Sequence, residues 1–206
     1  MIAEEEGQCF IPIPKNASTS FRKYFEWSFH GSVKNFIKDP EILLDNHVFA
    51  IIRDPVDRFC SGYIEIVDRG KENPSLSSYK FSKITDKKEK FIQFVDDVQQ
   101  CYFDSHIVPQ SFFLSDEKGC TIKLDELLTI RQTTKKIESL FYKTPKKKRS
   151  VDIVTKKPRV HQNRTRVRRK SLIKSYVEQN KKIQNAIQSL YQKDFILYQK
   201  AKQEDK

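Results

Sequence analysis

Two apolar runs near the start of the chain are each followed by a helical pattern. The first, residues 8–13 (QCFIPI), is rich in β-formers and bounded by Pro14, which favours a buried parallel strand. Ser18 then offers an N-cap, and the following apolar residues recur at helical spacing: Phe21, Tyr24, Phe25 and Phe29. This segment predicts a strand, a tight loop and a helix.

The second run, residues 47–52 (HVFAII), repeats that order. Asp54 is placed to cap a helix and Pro55 to be its first residue, because proline is tolerated there. One apolar face follows at helical spacing, formed by Val56, Phe59, Cys60, Tyr63, Ile64 and Val67. A second strand followed by a helix is therefore predicted.

The middle of the chain has weaker patterns. Residues 70–86 combine Gly, Pro and serines without periodicity, which is typical of a mobile surface loop. Further elements predicted downstream are a helix marked by Phe91, Phe94, Val95 and Val98, two short strands at 111–114 and 120–124 around a turn, and a helix at 134–142.

The last quarter divides into a basic segment and an amphipathic one. Residues 145–170 are dominated by Lys and Arg, so they are predicted to form a basic loop that cannot bury itself. A long C-terminal helix is predicted at about 171–192, with its apolar positions at Leu172, Tyr176, Ile183, Ile187, Leu190 and Tyr191.

Strands that alternate with helices predict an α/β fold, a three-layer sandwich with a central parallel sheet. In such folds ligands bind at the carboxyl ends of the strands, where both predicted loops begin. The 206 residues suit one domain of ordinary size, and we expect a single domain over residues 1–206.

Composition narrows the class of ligand. Lys and Arg number 39 against 27 Asp and Glu, a net charge of +12 that attracts nucleotides, polysaccharides, nucleic acids or membrane surfaces. No stretch approaches the ~18 apolar residues of a membrane span, and the first residues are acidic, unlike a signal peptide. We therefore expect a cytoplasmic protein. Its four scattered cysteines are expected to be buried thiols and suggest neither a zinc site nor disulfides.

The loop after the first strand, residues 14–20 (PKNASTS), has the chemistry of a phosphate site. Lys15 supplies a cation, and Ser18, Thr19 and Ser20 supply hydroxyl donors beside main-chain N–H groups. It lacks the glycines of a Walker A loop, so ATP hydrolysis is disfavoured. On this segment alone, a Ser/Thr-capped helix with an unrelated lysine explains the pattern equally well.

A second cation lies at the corresponding point of the second strand. Arg53 directly follows that strand, and Ser61 lies eight positions later on the polar side of the predicted helix. A guanidinium fork suits a phosphate, and a serine can donate to it from the side. Two loops at neighbouring strand ends thus both favour phosphate groups.

Five segments in order resemble the sulfotransferases that use 3'-phosphoadenosine 5'-phosphosulfate (PAPS), in particular the carbohydrate sulfotransferases of family 2 type, which have a P-loop NTPase-like fold. Residues 14–20 are similar to the 5'-phosphosulfate loop and 51–63 to the 3'-phosphate motif. Later matches are 104–110 (DSHIVPQ) to D-x-H-x-x-P-Q, 160–165 (VHQNRT) to H-x-N-x-S/T, and 191–198 (YQKDFILY) to Y-x-x-D-F.

The resemblance implies roles for particular residues. Around the 5'-phosphosulfate it implies Lys15, Asn16, Ala17, Ser18, Thr19 and Ser20; on the 3'-phosphate it implies Arg53 and Ser61, with Arg164 as a further PAPS contact. Ala17 stands where many relatives have a glycine. PAPS is then a co-substrate, and no metal is expected because positioning and cations can supply most of the catalysis.

The general base that takes the acceptor's proton is open among four residues. His106 is the first candidate because it lies in a family-like motif, although that segment can equally shape the fold. His47 precedes the Arg53 strand, and Glu65 follows Ser61 by one helical turn. His30 has only its imidazole in its favour.

The function expected from the resemblance is sulfuryl transfer from PAPS to a hydroxyl, in particular of a sugar or polysaccharide, by in-line displacement. The basic segment 145–170 would then hold an anionic glycan, or else be a solvated loop. Many eukaryotic relatives begin with a membrane anchor, and this sequence shows none, so we expect a bacterial or viral type of enzyme. The alternatives are a basic nucleic-acid-binding protein, or an inactive homologue that binds PAPS or its product PAP.

Overall fold

The structure is a computed structural model that describes residues 2–5, 7–25, 28–30, 43–72, 84–116, 118–143 and 164–203. The chain divides into two compact units, each assembled from separate segments. The sheet unit comprises residues 1–53, 110–161 and 196–206, and the helical unit comprises 54–109 and 162–195. The single domain expected over residues 1–206 stays a prediction.

The described residues form five strands and eight helices. The strands are β1 (Ile2–Glu5), β2 (Gln8–Ile11), β3 (Ser28–His30), β4 (His47–Ile52) and β5 (Glu126–Thr129). The helices are α1 (Ser18–Tyr24), α2 (Pro55–Glu72), α3 (Lys87–Gln99), α4 (Gln110–Phe113), α5 (Thr133–Lys143), α6 (Arg164–Gln179), α7 (Lys181–Leu190) and α8 (Gln192–Gln203).

The five strands form one sheet in the order β3-β1-β2-β4-β5. The three strands β2, β4 and β5 are parallel, whereas β1 pairs antiparallel with β2 and β3. Ile11 pairs with Ala50, and Ile52 pairs with Thr129. The predicted α/β class is confirmed, but only part of the sheet is parallel.

Side chains alternate between the two faces of the parallel strands, as the 2.0-residue period requires. On one face Phe10 of β2 stacks on Phe21 of α1 with centroids 4.3 Å apart, and α5 adds Ile137 and Leu140. On the other face the strand residues pack against Leu114 and against α8 through Leu197, Tyr198 and Ala201. The sheet unit therefore has three layers, helix, sheet and helix.

The helical unit has an aromatic core on the predicted face of α2. Phe59 and Tyr63 pack against Phe91 and Phe94 of α3, and Tyr191 completes the cluster with its centroid 5.7 Å from that of Phe59. The predicted cap of α2 is also confirmed. Asp54 Oδ1 accepts a hydrogen bond from the N–H of Asp57 at 2.9 Å.

Several predicted elements differ from the structure. Phe29, predicted as helical, lies in β3, because residues 28–30 pair with the edge of β1. Residues 111–114, predicted as a strand, fall mainly in helix α4, and only Ser115 and Thr121 form a single β-bridge there. Strands β1 and β5 were not predicted.

The structure also corrects the predicted C-terminal helix and the predicted loops at 70–86 and 145–170. Asn180 divides the predicted helix, because its side chain accepts a hydrogen bond from Ile183 N at 3.2 Å and starts α7. Leu172, predicted as apolar core, is 73% exposed. Helix α2 continues to Glu72 and α6 begins at Arg164, so residues 70–72 and 164–170, which were predicted as loop, are helical.

The prediction of buried cysteines is confirmed for two of the four. Cys9 and Cys60 are buried free thiols as expected, whereas Cys101 and Cys120 are exposed. Among the described helices, none combines the length and the apolar character needed to cross a bilayer.

Candidate active site

The loop between β2 and α1 has an unusual backbone. Lys15 has a φ of 70° and Ala17 a φ of 62°, although neither is glycine. Left-handed residues next to ordinary ones turn successive N–H groups towards a common centre, which creates an anion-binding concavity. Such conformations cost energy in residues with a Cβ and concentrate at ligand-binding sites.

Helix α1 begins at Ser18, the residue that was predicted to be its N-cap. Ala17 is the N-cap, and no side chain caps the helix, so the predicted N-cap role of Ser18 is wrong. The N–H of Ser20 donates to Ala17 O at 2.8 Å. The N–H groups of Ala17, Ser18 and Thr19 have no acceptor within the described part of the chain. They remain available to a ligand.

Asn16 holds this loop onto the neighbouring strand. Its side chain is fully buried, and Nδ2 donates to Ile51 O at 2.7 Å and to Gln110 Oε1 at 2.5 Å. Its Oδ1 is buried and has no hydrogen-bond donor among the described residues. The Asn16 side chain thus binds protein groups through Nδ2, and the donor contact that the resemblance implied for Asn16 stays a prediction.

Arg53 is attached to the same loop and to Gln110. Its Nη1 donates to the carbonyl oxygen of Lys15 at 3.0 Å. Its main-chain N–H donates to Gln110 Oε1 at 2.9 Å, and its carbonyl accepts from Gln110 Nε2 at 2.9 Å. Gln110 is fully buried. Lys15 and Arg53, predicted separately from two strand ends, are therefore in direct contact.

Sequence reasoning assigned no role to Gln110. The residue stood in the family-like segment 104–110, and its only sequence signal was its place after Pro109 in that motif. Among the other loop residues, Ser18 is half-buried, Thr19 is exposed and Ser20 is buried. The sheet unit thus brings together Lys15, residues 16–20 and Arg53.

Ser61 and Glu65 lie on α2 in the helical unit. Ser61 Oγ donates to Asp57 O at 2.8 Å, one turn earlier on the helix. Glu65 is half-buried and follows Ser61 by four residues, so the two share a side of the helix. The Asp57 carboxylate forms ion pairs with two lysines: Lys170 Nζ lies 3.2 Å from Oδ2, and Lys174 Nζ lies 3.0 Å from Oδ1.

His106 is held by a buried carboxylate in the helical unit. Its Nδ1 lies 2.7 Å from Asp104 Oδ1, which also accepts from the His106 main-chain N–H at 2.9 Å. Arg69 Nη2 donates to Asp104 Oδ2 at 2.5 Å. Because Nδ1 faces a carboxylate it carries the proton, which leaves Nε2 of the neutral ring as an acceptor.

These contacts perturb the acidity of Asp104. Burial raises the pKa of its carboxyl group, but hydrogen bonds from the His106 ring and main chain and from Arg69 lower it by more. The net pKa of Asp104 is about 2, below the usual value for an aspartate. Asp104 is therefore ionised over the whole range in which a histidine titrates. It can stabilise a proton on His106 and fix the orientation of the ring.

The sequence profile of the Sulfotransferase family matches residues 1–201. The chain belongs to the sulfotransferase family. The match includes the loop at residues 14–20, called here the phosphate-type loop, the segment 51–63 with Arg53, and the segment that carries His106 and Gln110. No curated protein and no solved structure matches this sulfotransferase.

His47 lies far from the phosphate-type loop of the sulfotransferase. It is the first residue of β4, whereas Arg53 follows the last, and six residues of strand span ~17 Å. Its Nε2 lies 3.2 Å from Glu126 Oε2, and Glu126 is also paired with Lys136. The geometry therefore places His47 against Glu126 at the opposite end of the strand from Lys15 and Arg53.

Other predicted features of the sulfotransferase lie outside the described residues. They are the side chains of His30 and Arg164, the loop at 73–83 and the basic segment at 144–163. Within the ranges that the structure describes, no group of His, Cys, Asp and Glu side chains is arranged to hold a metal ion.

Proposed function

We propose that this sulfotransferase transfers the sulfuryl group of PAPS to a hydroxyl acceptor. The observation that carries the proposal is the contact between Arg53 Nη1 and the carbonyl oxygen of Lys15, beside left-handed residues at the carboxyl ends of two parallel strands. Two cations and open N–H groups at this edge of a sheet suit a ligand with several phosphate groups.

Each cation has a proposed part of the donor to bind. Lys15 and the main chain of residues 16–20 bind the 5'-phosphosulfate, and Arg53 binds the 3'-phosphate through its guanidinium fork. Ser61 and Arg164 are proposed as further contacts, on the basis of the family resemblance alone. The buried side chain of Asn16 supports the loop from behind.

The proposed step is an in-line displacement at sulfur. The acceptor oxygen forms a bond to sulfur while the bond between sulfur and the phosphate oxygen breaks, and PAP leaves. The Lys15 ammonium neutralises the charge that develops on the leaving phosphate. The acceptor's proton goes to Nε2 of His106, and the imidazolium is stabilised by Asp104.

His106 is favoured as the base because of its surroundings. A histidine whose Nδ1 proton is fixed by a buried carboxylate presents Nε2 as the acceptor. His47 has its Nε2 against Glu126 instead, and Glu65 is a half-buried helix carboxylate. We therefore propose His106 ahead of these two.

The acceptor that we propose is a sugar or polysaccharide hydroxyl. The carbohydrate-sulfotransferase character of segments 104–110 and 191–198 supports it, as does the net charge of +12, which attracts anionic glycans. Purified protein incubated with PAPS and a panel of glycans and small alcohols is expected to release PAP only when a suitable hydroxyl is present.

Two substitutions test the donor site. Lys15→Ala is expected to lower kcat by about 100-fold or more, because it removes a cation that acts on charge in the transition state. Arg53→Ala is expected mainly to raise KM for PAPS, because it removes ground-state binding. Lys135→Ala and Arg131→Ala, which change exposed residues of the sheet unit, are the matched controls.

The alternatives predict different results. Small and equal effects of Lys15→Ala and Arg53→Ala would contradict the proposal. PAPS binding in a calorimeter without turnover on any acceptor would indicate an inactive homologue. Tight, strongly salt-dependent binding of DNA or RNA that survives Arg53→Ala would instead support a nucleic-acid-binding protein.

A further inference from the structure

We propose that Gln110 is a positioning residue that sets Arg53 in place for the donor's 3'-phosphate, an inference that rests on the proposed function. Gln110 does not carry charge, and its side chain is fully buried. It acts on the ligand through the backbone and side-chain position of Arg53.

The first reason is the backbone of Arg53. The last paired residues of β4 and β5 are Ile52 and Thr129, so Arg53 lies beyond the sheet ladder. Its N–H and C=O groups still need partners, because unpaired main-chain groups are costly away from water. The carboxamide of Gln110 accepts from one at 2.9 Å and donates to the other at 2.9 Å, as a neighbouring strand would.

The second reason is that the same carboxamide also holds the phosphate-type loop. Gln110 Oε1 accepts from Asn16 Nδ2 at 2.5 Å, and Arg53 Nη1 donates to Lys15 O at 3.0 Å. Gln110, Arg53, Lys15 and Asn16 therefore form a closed ring of contacts. Hydrogen bonds in a buried network rigidify the groups that they connect, and the bonds of this ring join Arg53 to the loop at Lys15 and Asn16.

The third reason is that few other side chains can make these three bonds. A glutamate accepts from Arg53 N and Asn16 Nδ2 but has no donor for Arg53 O, and it places a charge in a buried position. A methionine has a similar length and makes none of the three bonds. The position is thus specific for a side-chain amide of this length.

The experiment compares PAP with AMP, which lacks the 3'-phosphate, by isothermal titration calorimetry. Gln110→Met is expected to weaken PAP about tenfold more than AMP, because Arg53 is proposed to meet only the 3'-phosphate, whereas loosening the loop at Asn16 affects both ligands alike. The control is Gln132→Met. Gln132 Oε1 accepts from Thr129 N at 2.5 Å, so it supports the end of β5 as Gln110 supports β4.

Gln132→Met is expected to lower the melting temperature and leave the PAP-to-AMP affinity ratio unchanged. Gln110→Glu is the second variant, because it keeps two of the three bonds and tests the inference if Gln110→Met does not fold. It too is expected to lower the ratio. In an Arg53→Ala background, neither change at Gln110 should lower the ratio further.

The outcomes separate the two proposals. If the wild-type protein does not prefer PAP over AMP, the proposed function fails and the role of Gln110 fails with it. If the wild type prefers PAP and Arg53→Ala abolishes the preference, but both Gln110 variants retain it, the donor site stands and the positioning role is refuted. Loss of the ratio in Gln110 variants but not in Gln132→Met supports the role.

Discussion

Replacing Ala17 with glycine is expected to leave the protein at least as stable as the wild type. Most alanine-to-glycine changes destabilise, because glycine loses more backbone freedom on folding. Ala17 differs because its φ is 62° and its ψ is 9°, a left-handed conformation that strains a residue with a Cβ. Glycine adopts this conformation without strain.

The magnitude follows from three contributions. Relief of the left-handed strain contributes about 1 to 2 kcal/mol, and the added backbone entropy of glycine costs about 0.5 to 1 kcal/mol. The Ala17 methyl packs only partly against the aromatic face of the sheet, so its loss costs about 0.4 kcal/mol, half the value of a fully buried methylene. The net change is a stabilisation of about 0.5 kcal/mol.

Ala50→Gly is the matched control in the same sheet. Ala50 is fully buried in β4, so this change loses about 0.8 kcal/mol of burial and a further 0.5 to 1 kcal/mol of backbone entropy. The two variants should thus differ by about 2 kcal/mol in the free energy of unfolding, measured by urea denaturation and circular dichroism. Equal destabilisation by both would refute the left-handed loop at Ala17.

Three further changes concern the helical unit. Gly62→Ala should cost about 1 to 3 kcal/mol in thermal unfolding, because its Cβ would lie 2.5 Å from His106 O. Tyr191→Phe should cost about 1 kcal/mol in urea denaturation by removing the 2.5 Å bond to Ile107 O. The Asp104 carboxyl has a pKa of about 2 in the folded protein, below its value in the unfolded chain, so the unfolded chain binds more protons as the pH falls. The free energy of unfolding should therefore fall between about pH 4 and pH 2. Acid unfolding of Asp104→Asn should show a smaller fall over the same range.

The sequence predicted the elements whose patterns are long or strongly periodic. Strand β4 and helices α2, α3 and α5 have clear apolar faces or runs, and their cores follow from those positions. Strands β1, β3 and β5 have three or four residues each, too few for a period to show. They exist because a neighbouring strand pairs with them, which local sequence does not encode.

The two cations of the candidate site could be predicted from the sequence, but the backbone conformation and the buried contacts that hold them could not. Lys15 and Arg53 each follow an apolar run, so the rule for parallel strands places them at one edge. The left-handed backbone at Lys15 and Ala17 had no glycine to signal it. The contacts of Gln110 join residues 57 and 94 positions apart, a separation at which pattern reading has no information. The cap at Asn180, by contrast, is a local signal that sequence reasoning missed.

The packing of α8 on the sheet bears on how the chain folds as it is made. About 190 residues separate β2 from Ala201, which lies against the same face of the sheet. At a synthesis rate of about 5 to 20 residues per second, roughly 10 to 40 s pass between the synthesis of β2 and that of Ala201. During that interval the apolar face that includes Cys9, Ile11 and Val48 lacks the part of its cover that α8 provides. We therefore expect nascent chains of this protein to bind chaperones that recognise apolar surfaces until α8 has been synthesised.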